Sequence, residues 1–253
     1  MTGTSPAAEP GGGPADEDGV TAHLIVDCPL DDSLVVDGHD GHHLQRVRRV
    51  RAFEHVTVAD GAGGWRRYAV RSATRGVLHL DAVGVSTIEP PGMPLCVAPA
   101  LTKDAKLETV VAQLTELGVT EVAPLVAERS VVRLDEAALV RLGDRGRAAA
   151  RASSMQSRRA RVPVVHAPGS LASISTRADL LVAIRGGLDP WALGPPGISG
   201  FTVATGPEGG FSDAERAQLA AAGARELGLG RFVLRAQHAP LVAAAALLTR
   251  QSV

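Results

Sequence analysis

The segment Gly206-Pro207-Glu208-Gly209-Gly210 has residue types that could hold a small ligand. It follows an apolar run, Phe201–Thr205, and precedes Ser212, which has Glu215 three residues further on. Ser and Glu at this spacing form a capping box that starts a helix, and parallel sheets bind ligands where strands end. The glycine spacing fits neither a phosphate loop nor the dinucleotide fingerprint. Its proline and carboxylate favour a ligand with hydroxyl or amine donors, and a tight turn without a ligand is the alternative.

Arginine provides nearly all of the positive charge, since lysine occurs only at Lys103 and Lys106. The formal net charge is −1, but arginines crowd residues 46–51 and 141–161. The planar guanidinium donates paired hydrogen bonds to phosphate, so this clustering says more about nucleic-acid binding than the net charge does. We predict RNA contacts at these two stretches. The alternative is that they are solvated faces on which a GC-rich genome has replaced lysine by arginine.

The first part of the chain has short strand-like runs separated by turns. The candidate strands are residues 23–26, 33–36, 55–59, 67–70 and 76–80, with a short helix in residues 39–49. Five short strands with tight turns predict a small β-barrel. Residues 1–21 predict a disordered leader, because they are rich in Gly, Pro and acidic residues and lack apolar periodicity. Residues 89–94 contain three prolines and predict a linker.

Beyond this linker, strand and helix patterns alternate. Strands are predicted at residues 95–98, 121–126, 180–184, 201–205 and 225–229, and helices at 104–117, 134–157, 212–222 and 239–249. Such alternation is typical of a parallel sheet covered by helices. The sequence therefore predicts an α/β fold with a barrel domain at residues 22–88 and a larger domain at 89–253.

The composition indicates neither a membrane protein nor a metalloprotein. Apolar residues make up 45% of the chain, which allows a buried core, and no apolar run reaches the roughly 20 residues that span a bilayer. The first residues have no apolar segment typical of a signal peptide. Cys28 and Cys96 lack the spacing of metal ligands. We expect a cytoplasmic protein that binds no membrane and no metal.

Five segments combine into a more specific pattern. They are His43-Leu44 with residues 46–49, Lys103 with residues 115–119 and Arg129-Ser130, Gln156-Ser157 with Arg159, residues 206–211 with Glu215, and Leu227-Gly228 with Val233-Leu234-Arg235. In this order they resemble the motifs of the 16S ribosomal RNA uridine-N3 methyltransferase family, a branch of the SPOUT superfamily. Each motif alone is weak, but five in order, from about residue 22 to the C-terminus, are specific.

The resemblance implies a PUA-like barrel followed by a parallel-sheet domain whose C-terminal part is threaded into a trefoil knot. It implies S-adenosyl-L-methionine as the cofactor and ribosomal RNA, or the small ribosomal subunit, as the partner of a homodimer. Carried over by motif, the cofactor-binding residues are Ile184, Gly206, Pro207, Glu208, Gly209, Leu227, Gly228, Leu229, Val233 and Leu234.

Arginines are the expected catalytic and RNA-binding residues. Methylation of uridine N3 removes a proton and spreads negative charge over the carbonyl oxygens, which a fixed guanidinium would stabilise. Arg235, directly after the cofactor segment, is the first catalytic candidate, with a structural ion pair as the alternative. His238 is a possible proton acceptor, although a histidine that starts a helix is more often a cap or a surface residue. The expected substrate contacts are Arg46, Arg48, Arg49, Arg129 and Arg159.

The match is incomplete after Arg235. The family commonly has Thr-Glu-Thr-Ala there, whereas this chain has Ala236-Gln237-His238-Ala239. A divergent SPOUT-type methyltransferase that acts on a small molecule or on another RNA is therefore an alternative. An RNA-binding module without catalysis is another, although the intact glycine segment argues against it, just as the arginine stretches argue against a small-molecule substrate.

Overall fold

The computed structural model describes residues 12–46, 49–103, 105–130 and 134–250, apart from the side chains of His39 and His43. The chain forms two compact units. The first contains residues up to Pro91 together with Ser154–Val162, and the second contains the rest. Residues 154–162, including the end of a long helix, thus belong to the N-terminal unit, which the contiguous division predicted from the sequence did not include.

The first unit is built on a five-stranded mixed sheet. Its strands are β1 (Val20–Ile25), β2 (Ser33–Val36), β3 (His55–Ala59), β4 (Gly64–Thr74) and β5 (Val77–Ile88), and helix α1 (Gly38–Arg46) follows β2. The order is β1-β3-β4-β5-β2, with β1 and β3 parallel and the other pairs antiparallel. All five predicted strands are present. β4 and β5 are longer than predicted because they pair with each other beyond the apolar runs, up to Gly64 opposite Ile88.

Residues 12–21 differ from the predicted disordered leader. Residues 14–16 form a 3-10 turn in which the Asp16 carboxylate accepts the Gly13 N–H at 2.9 Å, and β1 already begins at Val20. The Glu17 carboxylate lies 3.2 Å from the Arg67 guanidinium. Polar contacts such as these order a segment without apolar periodicity, so composition alone misjudged it. Residues 1–11 of the predicted leader lie outside the described residues.

Residues 154–162 join the first unit through a dense set of polar contacts. The Arg161 guanidinium donates to the Glu89 carbonyl at 3.0 and 3.2 Å, and the Arg161 N–H donates to the Glu89 carboxylate at 2.9 Å. The Arg158 guanidinium donates to the Val20 carbonyl at 3.0 Å. Ala160 is completely buried in one apolar cluster with Ile25, Ala59 and Trp65. Such long-range pairing leaves no periodic signal in a sequence.

The second unit has a six-stranded sheet in which every pairing is parallel, as predicted. Its strands, in the order β11-β9-β10-β6-β7-β8, are β6 (Leu95–Pro99), β7 (Glu121–Val122), β8 (Val164–Val165), β9 (Leu180–Leu188), β10 (Phe201–Thr205) and β11 (Arg225–Leu227). The helices are α2 (Leu107–Glu116), α3 (Glu136–Gln156), α4 (Asp213–Ala221) and α5 (Ala239–Thr249). β8 was not predicted, because two residues are too few to produce a pattern.

Local sequence explains how the helices begin and end. α2 buries Leu107, Val110, Val111 and Leu114, which recur at helical spacing on one face. Gly118, with a φ of +99°, ends it as glycine commonly does. α4 begins with the predicted capping box, in which Ser212 accepts the Glu215 N–H and Glu215 accepts the Ser212 N–H.

No helix in the described residues is both long enough and apolar enough to cross a membrane. In the same part of the chain, no three His, Cys, Asp or Glu side chains come together as metal ligands would. Cys28 is exposed and Cys96 is buried, and both are free thiols. Burial raises the pKa of the Cys96 thiol to about 12.

The buried His23 should make the stability of the first unit depend on pH. Its ring contacts Thr57 Oγ1 at 2.8 Å and the Arg159 carbonyl at 3.1 Å, and burial lowers its pKa from 6.5 to about 4. The unfolded chain takes up this proton near pH 6.5 and the folded chain only near pH 4. The contribution of His23 is therefore complete above pH 6.5 and is lost as the pH falls, by about 3 kcal/mol at most.

Urea unfolding between pH 7 and pH 4.5 measures this effect. The variant His23→Gln should lose part of the pH dependence of the unfolding free energy that the unsubstituted chain shows. An identical pH dependence in His23→Gln and the unsubstituted chain would show that His23 does not titrate between the two states.

Candidate functional site

A cavity of about 320 Å³ lies in the second unit, beside the middle of β9 and the end of β10. Three segments form its walls. Residues Ala183, Ile184 and Arg185 come from β9, and Gly206, Pro207, Glu208, Gly210 and Phe211 come from the loop after β10. Leu229, Gly230, Phe232, Val233, Leu234 and Ala236 come from the segment between β11 and α5, Ala239 is the first residue of α5, and Arg216 comes from α4. The structure thus brings together the three segments that were expected to hold the cofactor.

The loop after β10 is a tight turn with little room for side chains. The Gly210 N–H donates to the Pro207 carbonyl at 2.8 Å, and Gly210 has a φ of +66°, which favours glycine. A Cβ at Gly206 would lie 3.3 Å from Gly210 Cα. The glycines therefore let the backbone form one wall of the cavity directly.

The Glu215 carboxylate joins this loop to a second one. One oxygen accepts the Ser212 N–H at 2.8 Å, and the other accepts the Glu128 N–H at 2.7 Å. Because the carboxylate is buried, each of these hydrogen bonds satisfies a group that water cannot reach easily. Glu215 therefore fixes the start of α4 and the loop at residues 127–130 with a single side chain.

Arg129, which was expected to contact RNA, lies against the loop after β10. We call this loop, residues 206–210, the glycine loop. Its guanidinium donates to the Gly209 carbonyl at 3.0 Å, and its aliphatic stem is close enough that a Cβ at Gly209 would lie 3.4 Å from Arg129 Cβ. Gly209 itself does not line the cavity. The contact supports the loop from outside and leaves the side chain of Arg129 exposed.

An interruption in β9 forms the second wall. Val182 pairs with Glu226 of β11, and the next paired residue of β9 is Leu188, opposite Leu227. The residues between them leave the ladder, with Gly186 at a φ of +84°. The predicted strand at 180–184 ends two residues beyond Val182, the last regularly paired residue, and the continuation of β9 to Leu188 was not predicted.

The third wall contains Leu229, Val233 and Leu234, but not all of the residues expected there. Leu227 and Gly228 are buried behind it, where the Gly228 N–H donates to the Leu188 carbonyl at 2.8 Å. Arg235 and His238 are exposed and lie outside the cavity lining. The Gln237 amide N–H donates to His238 Nε2 at 3.3 Å. The structure thus brings neither catalytic candidate into the cavity wall.

Three charged side chains line the cavity. The Glu208 carboxylate accepts the Lys103 N–H at 3.3 Å, and Arg216 lies 3.4 Å from Glu226. Arg185 has no hydrogen-bond or ion-pair partner in the described residues, and its side chain is exposed. Sequence reasoning missed Arg185, although the Gly186-Gly187 pair after it could have indicated an interrupted strand.

The other arginines expected to bind RNA belong to the first unit. Arg46, the last residue of α1, and Arg49, with a φ of +56°, are exposed. Arg48 lies outside the described residues. Arg159 is partly buried, and burial lowers the pKa of its guanidinium while the charge of Glu89 opposes the shift. Arg46 and Arg49 are thus accessible, and Arg159 is only partly so.

Comparison with known proteins defines the class. The RNA methyltransferase domain family matches residues 89–248, and the RNA methyltransferase PUA domain family matches residues 36–81. The chain therefore belongs to the RNA methyltransferase family, and the resemblance found in its motifs is confirmed.

Individual relatives point to one branch of that family. The chain is 33% identical over 218 residues to ribosomal RNA small subunit methyltransferase E of Mycobacterium bovis, covering 83% of each chain. It is 30% identical over 246 residues to the protein of the same name from Synechocystis, covering 89% of this chain and 77% of that one.

A solved structure shares the fold. It is a ribosomal RNA small subunit methyltransferase E from Neisseria gonorrhoeae bound to S-adenosyl methionine, with a TM-score of 0.81 and 22% identity. The similarity covers 90% of this chain and 97% of the other.

Removing the Glu215 carboxylate should destabilise the second unit. In Glu215→Ala the N–H groups of Ser212 and Glu128 lose their acceptor, which should cost about 2–3 kcal/mol. Glu226→Ala removes a carboxylate from a surface ion pair with Arg216 and should cost less than about 1 kcal/mol. Chemical unfolding compares the two, and equal losses would mean that Glu215 does not hold the loops together.

Proposed function

We propose that the chain uses S-adenosyl-L-methionine to methylate N3 of a uridine in 16S ribosomal RNA. The observation that carries this proposal is the cavity beside β9 and the end of β10. Its walls combine the loop at residues 206–211 and the segment at 229–234, which match the family's motifs, with residues 183–185 of β9. Family membership supports the RNA methyltransferase activity. The names of the relatives support the small ribosomal subunit as the substrate, and the named base rests on the motif resemblance.

The cavity has features that fit this cofactor. Glycine backbone gives a flat ligand close access to one wall, since Gly206 and Gly210 leave no side chain there. Ile184, Leu229, Val233 and Leu234 add apolar surface for the adenine ring, and Pro207 completes the loop. The Glu208 carboxylate can accept hydrogen bonds from hydroxyl or ammonium groups. Gly209, Leu227 and Gly228 would act indirectly, by holding the walls in place.

A trefoil knot is part of this proposal. A Cβ at Gly187 would lie 2.7 Å from the Glu226 carbonyl carbon, and one at Gly228 would lie 2.6 Å from the Gly187 oxygen. Two segments that are distant in sequence therefore pass each other in backbone contact next to the cavity, as threading of the C-terminal part would require.

We also propose a cytoplasmic homodimer. α2 and α5 pack together and leave a groove lined by Gln113, Glu116, Leu117, Leu241, Val242 and Ala245. Leu117 and Val242 are 41% and 36% exposed there. A second copy would cover these apolar side chains, and an RNA substrate of the ribosome implies a cytoplasmic location.

The cofactor, when bound, supplies a methyl group on a positively charged sulfur. The remaining catalysis is positioning and charge stabilisation by the chain. The walls would shield the bound cofactor and base from water, and a guanidinium close to the uracil oxygens would stabilise the charge left when N3 loses its proton. Arg235 directly follows Leu234 in the wall and its side chain is exposed, so we assign this guanidinium to the role. His238, three residues after Arg235 and also exposed, is the candidate proton acceptor.

RNA binding outside the cavity is assigned to the exposed arginines Arg46 and Arg49, together with Arg48. Arg129 would both support the glycine loop and contact a phosphate. One nitrogen of its guanidinium donates to the Gly209 carbonyl, which leaves other N–H groups for a phosphate. Arg159 would contribute less than the others, since its side chain is partly buried.

The test of the function is methyl transfer to authentic substrate. Small ribosomal subunits from a strain lacking the modification are incubated with the chain and labelled cofactor, and the 16S RNA is digested and analysed by mass spectrometry. The proposal predicts label in 3-methyluridine. Cofactor binding without label in 16S RNA would contradict the proposal. That result would favour the alternative, a paralogue that acts on a small molecule or another RNA. The altered residues Ala236-Gln237-His238 are the observation that motivates this alternative.

Glu208 should contribute to cofactor affinity. Glu208→Ala removes a charged acceptor from the cavity wall and should weaken cofactor binding about tenfold or more. Glu136→Ala, in the first turn of α3, should leave the affinity unchanged. Titration calorimetry with S-adenosyl-L-methionine measures both, and an unchanged affinity in Glu208→Ala would remove Glu208 from the site.

Arg235 should act on the chemical step. Arg235→Ala should lower kcat for subunit methylation about a hundredfold with little change in cofactor affinity, because it removes a group that stabilises developing charge. Arg235→Lys should recover only part of the loss, since an ammonium lacks the planar fork. If Arg235→Ala kept its kcat, Arg235 would have no catalytic role.

A further inference from the structure

Phe232 combines two properties that rarely occur together. Its ring lines the cavity, yet 74% of the residue is exposed, and the neighbouring Val233 is 81% exposed. Large apolar side chains at the mouth of a cavity are costly to leave in water, so such a surface marks a contact with something else. Nothing in the family motifs quoted above assigns a role to Phe232.

A cation lies over one face of the Phe232 ring. The Arg231 guanidinium carbon lies 4.8 Å from the centre of the Phe232 ring, so the cation covers one face and leaves the other accessible. Gly230, with a φ of +114°, supplies the turn before this pair. The Phe232 ring thus has one face covered by a cation and the other face accessible at the mouth of the cavity.

Positively charged side chains lie near Phe232 in the structure and in the sequence. Arg185 lines the same cavity and is exposed, and Arg235 follows Phe232 by three residues and is exposed as well. An aromatic face combined with arginines is the pattern that binds single-stranded nucleic acid, since the bases stack on the ring and the cations contact the phosphates. A second copy of the chain, with its own arginines at this position, would be repelled by the same charges.

The proposed reaction requires a surface against which an unpaired base can stack. N3 of a uridine lies on the edge used for base pairing, so the base must be unpaired before N3 can reach the cavity. Enzymes that act on such atoms take the base out of the stack and bind it between apolar or aromatic side chains. We infer that the free face of Phe232 stacks the unpaired pyrimidine base of the RNA substrate, while Arg185 and Arg231 contact its phosphates. This inference rests on the proposed function.

Variants of Phe232 separate stacking from other roles of the ring. Phe232→Leu keeps apolar bulk without a π face and should lower kcat/KM for small subunits about tenfold or more. Phe232→Tyr keeps the π face and should retain activity within about twofold. In both variants the affinity for S-adenosyl-L-methionine and the elution volume in size-exclusion chromatography should not change. Ile198→Ala, at a fully exposed apolar residue outside the cavity lining, is the control and should behave as the unsubstituted chain.

Several results would overturn the inference. Equal activity of the Leu and Tyr variants would exclude stacking. A loss of cofactor affinity in Phe232→Leu, with normal kcat/KM at saturating cofactor, would assign the ring to the cofactor. A change of oligomeric state would assign it to an interface between copies. If the unsubstituted chain binds cofactor but labels no subunit RNA, the proposed function fails first, and this inference fails with it.

Discussion

Gly187 and Gly228 pass each other so closely that neither position has room for a side chain. This approach allows β9 to rejoin β11 at Leu188 after leaving the ladder at Val182. The residues that leave the ladder then form one wall of the cavity, and the chain after Gly228 forms another. The site therefore depends on a backbone contact that any larger residue at either glycine would disrupt.

The wall formed by the loop after β10 is held by polar groups. The buried Glu215 carboxylate fixes the start of α4 and the loop before Ser130 at the same time, and Arg129 supports the glycine loop from outside. Rigid support of this kind matters for a methyl transfer, because most of its rate enhancement comes from holding the reactants in line. The cavity mouth is less enclosed, with Phe232 and Val233 largely exposed, as a surface that receives a substrate would be.

Sequence patterns predicted the local features, those that depend on residues close together in the chain. The capping box of Ser212 and Glu215 and the apolar face of α2 are short-range signals, and both are present. The continuation of β9 at Leu188 depends on pairing with a strand that is distant in the sequence, so the Gly186-Gly187 pair could indicate an interruption but not where the strand continues. The sequence likewise predicted only an RNA contact for Arg129. Its guanidinium also donates a hydrogen bond to the Gly209 carbonyl, 80 residues away in the chain. The exposure of Arg235 and His238 follows from packing that periodicity does not describe.

The central claim is that the cavity between β9, β10 and the segment before α5 holds S-adenosyl-L-methionine. A crystal structure of the chain with this cofactor tests the claim most directly. We predict that the cofactor contacts the loop at Gly206 to Glu208 and the wall residues Leu229, Val233 and Leu234, with its methyl group open towards the cavity mouth. A cofactor bound anywhere else on the chain would contradict the claim.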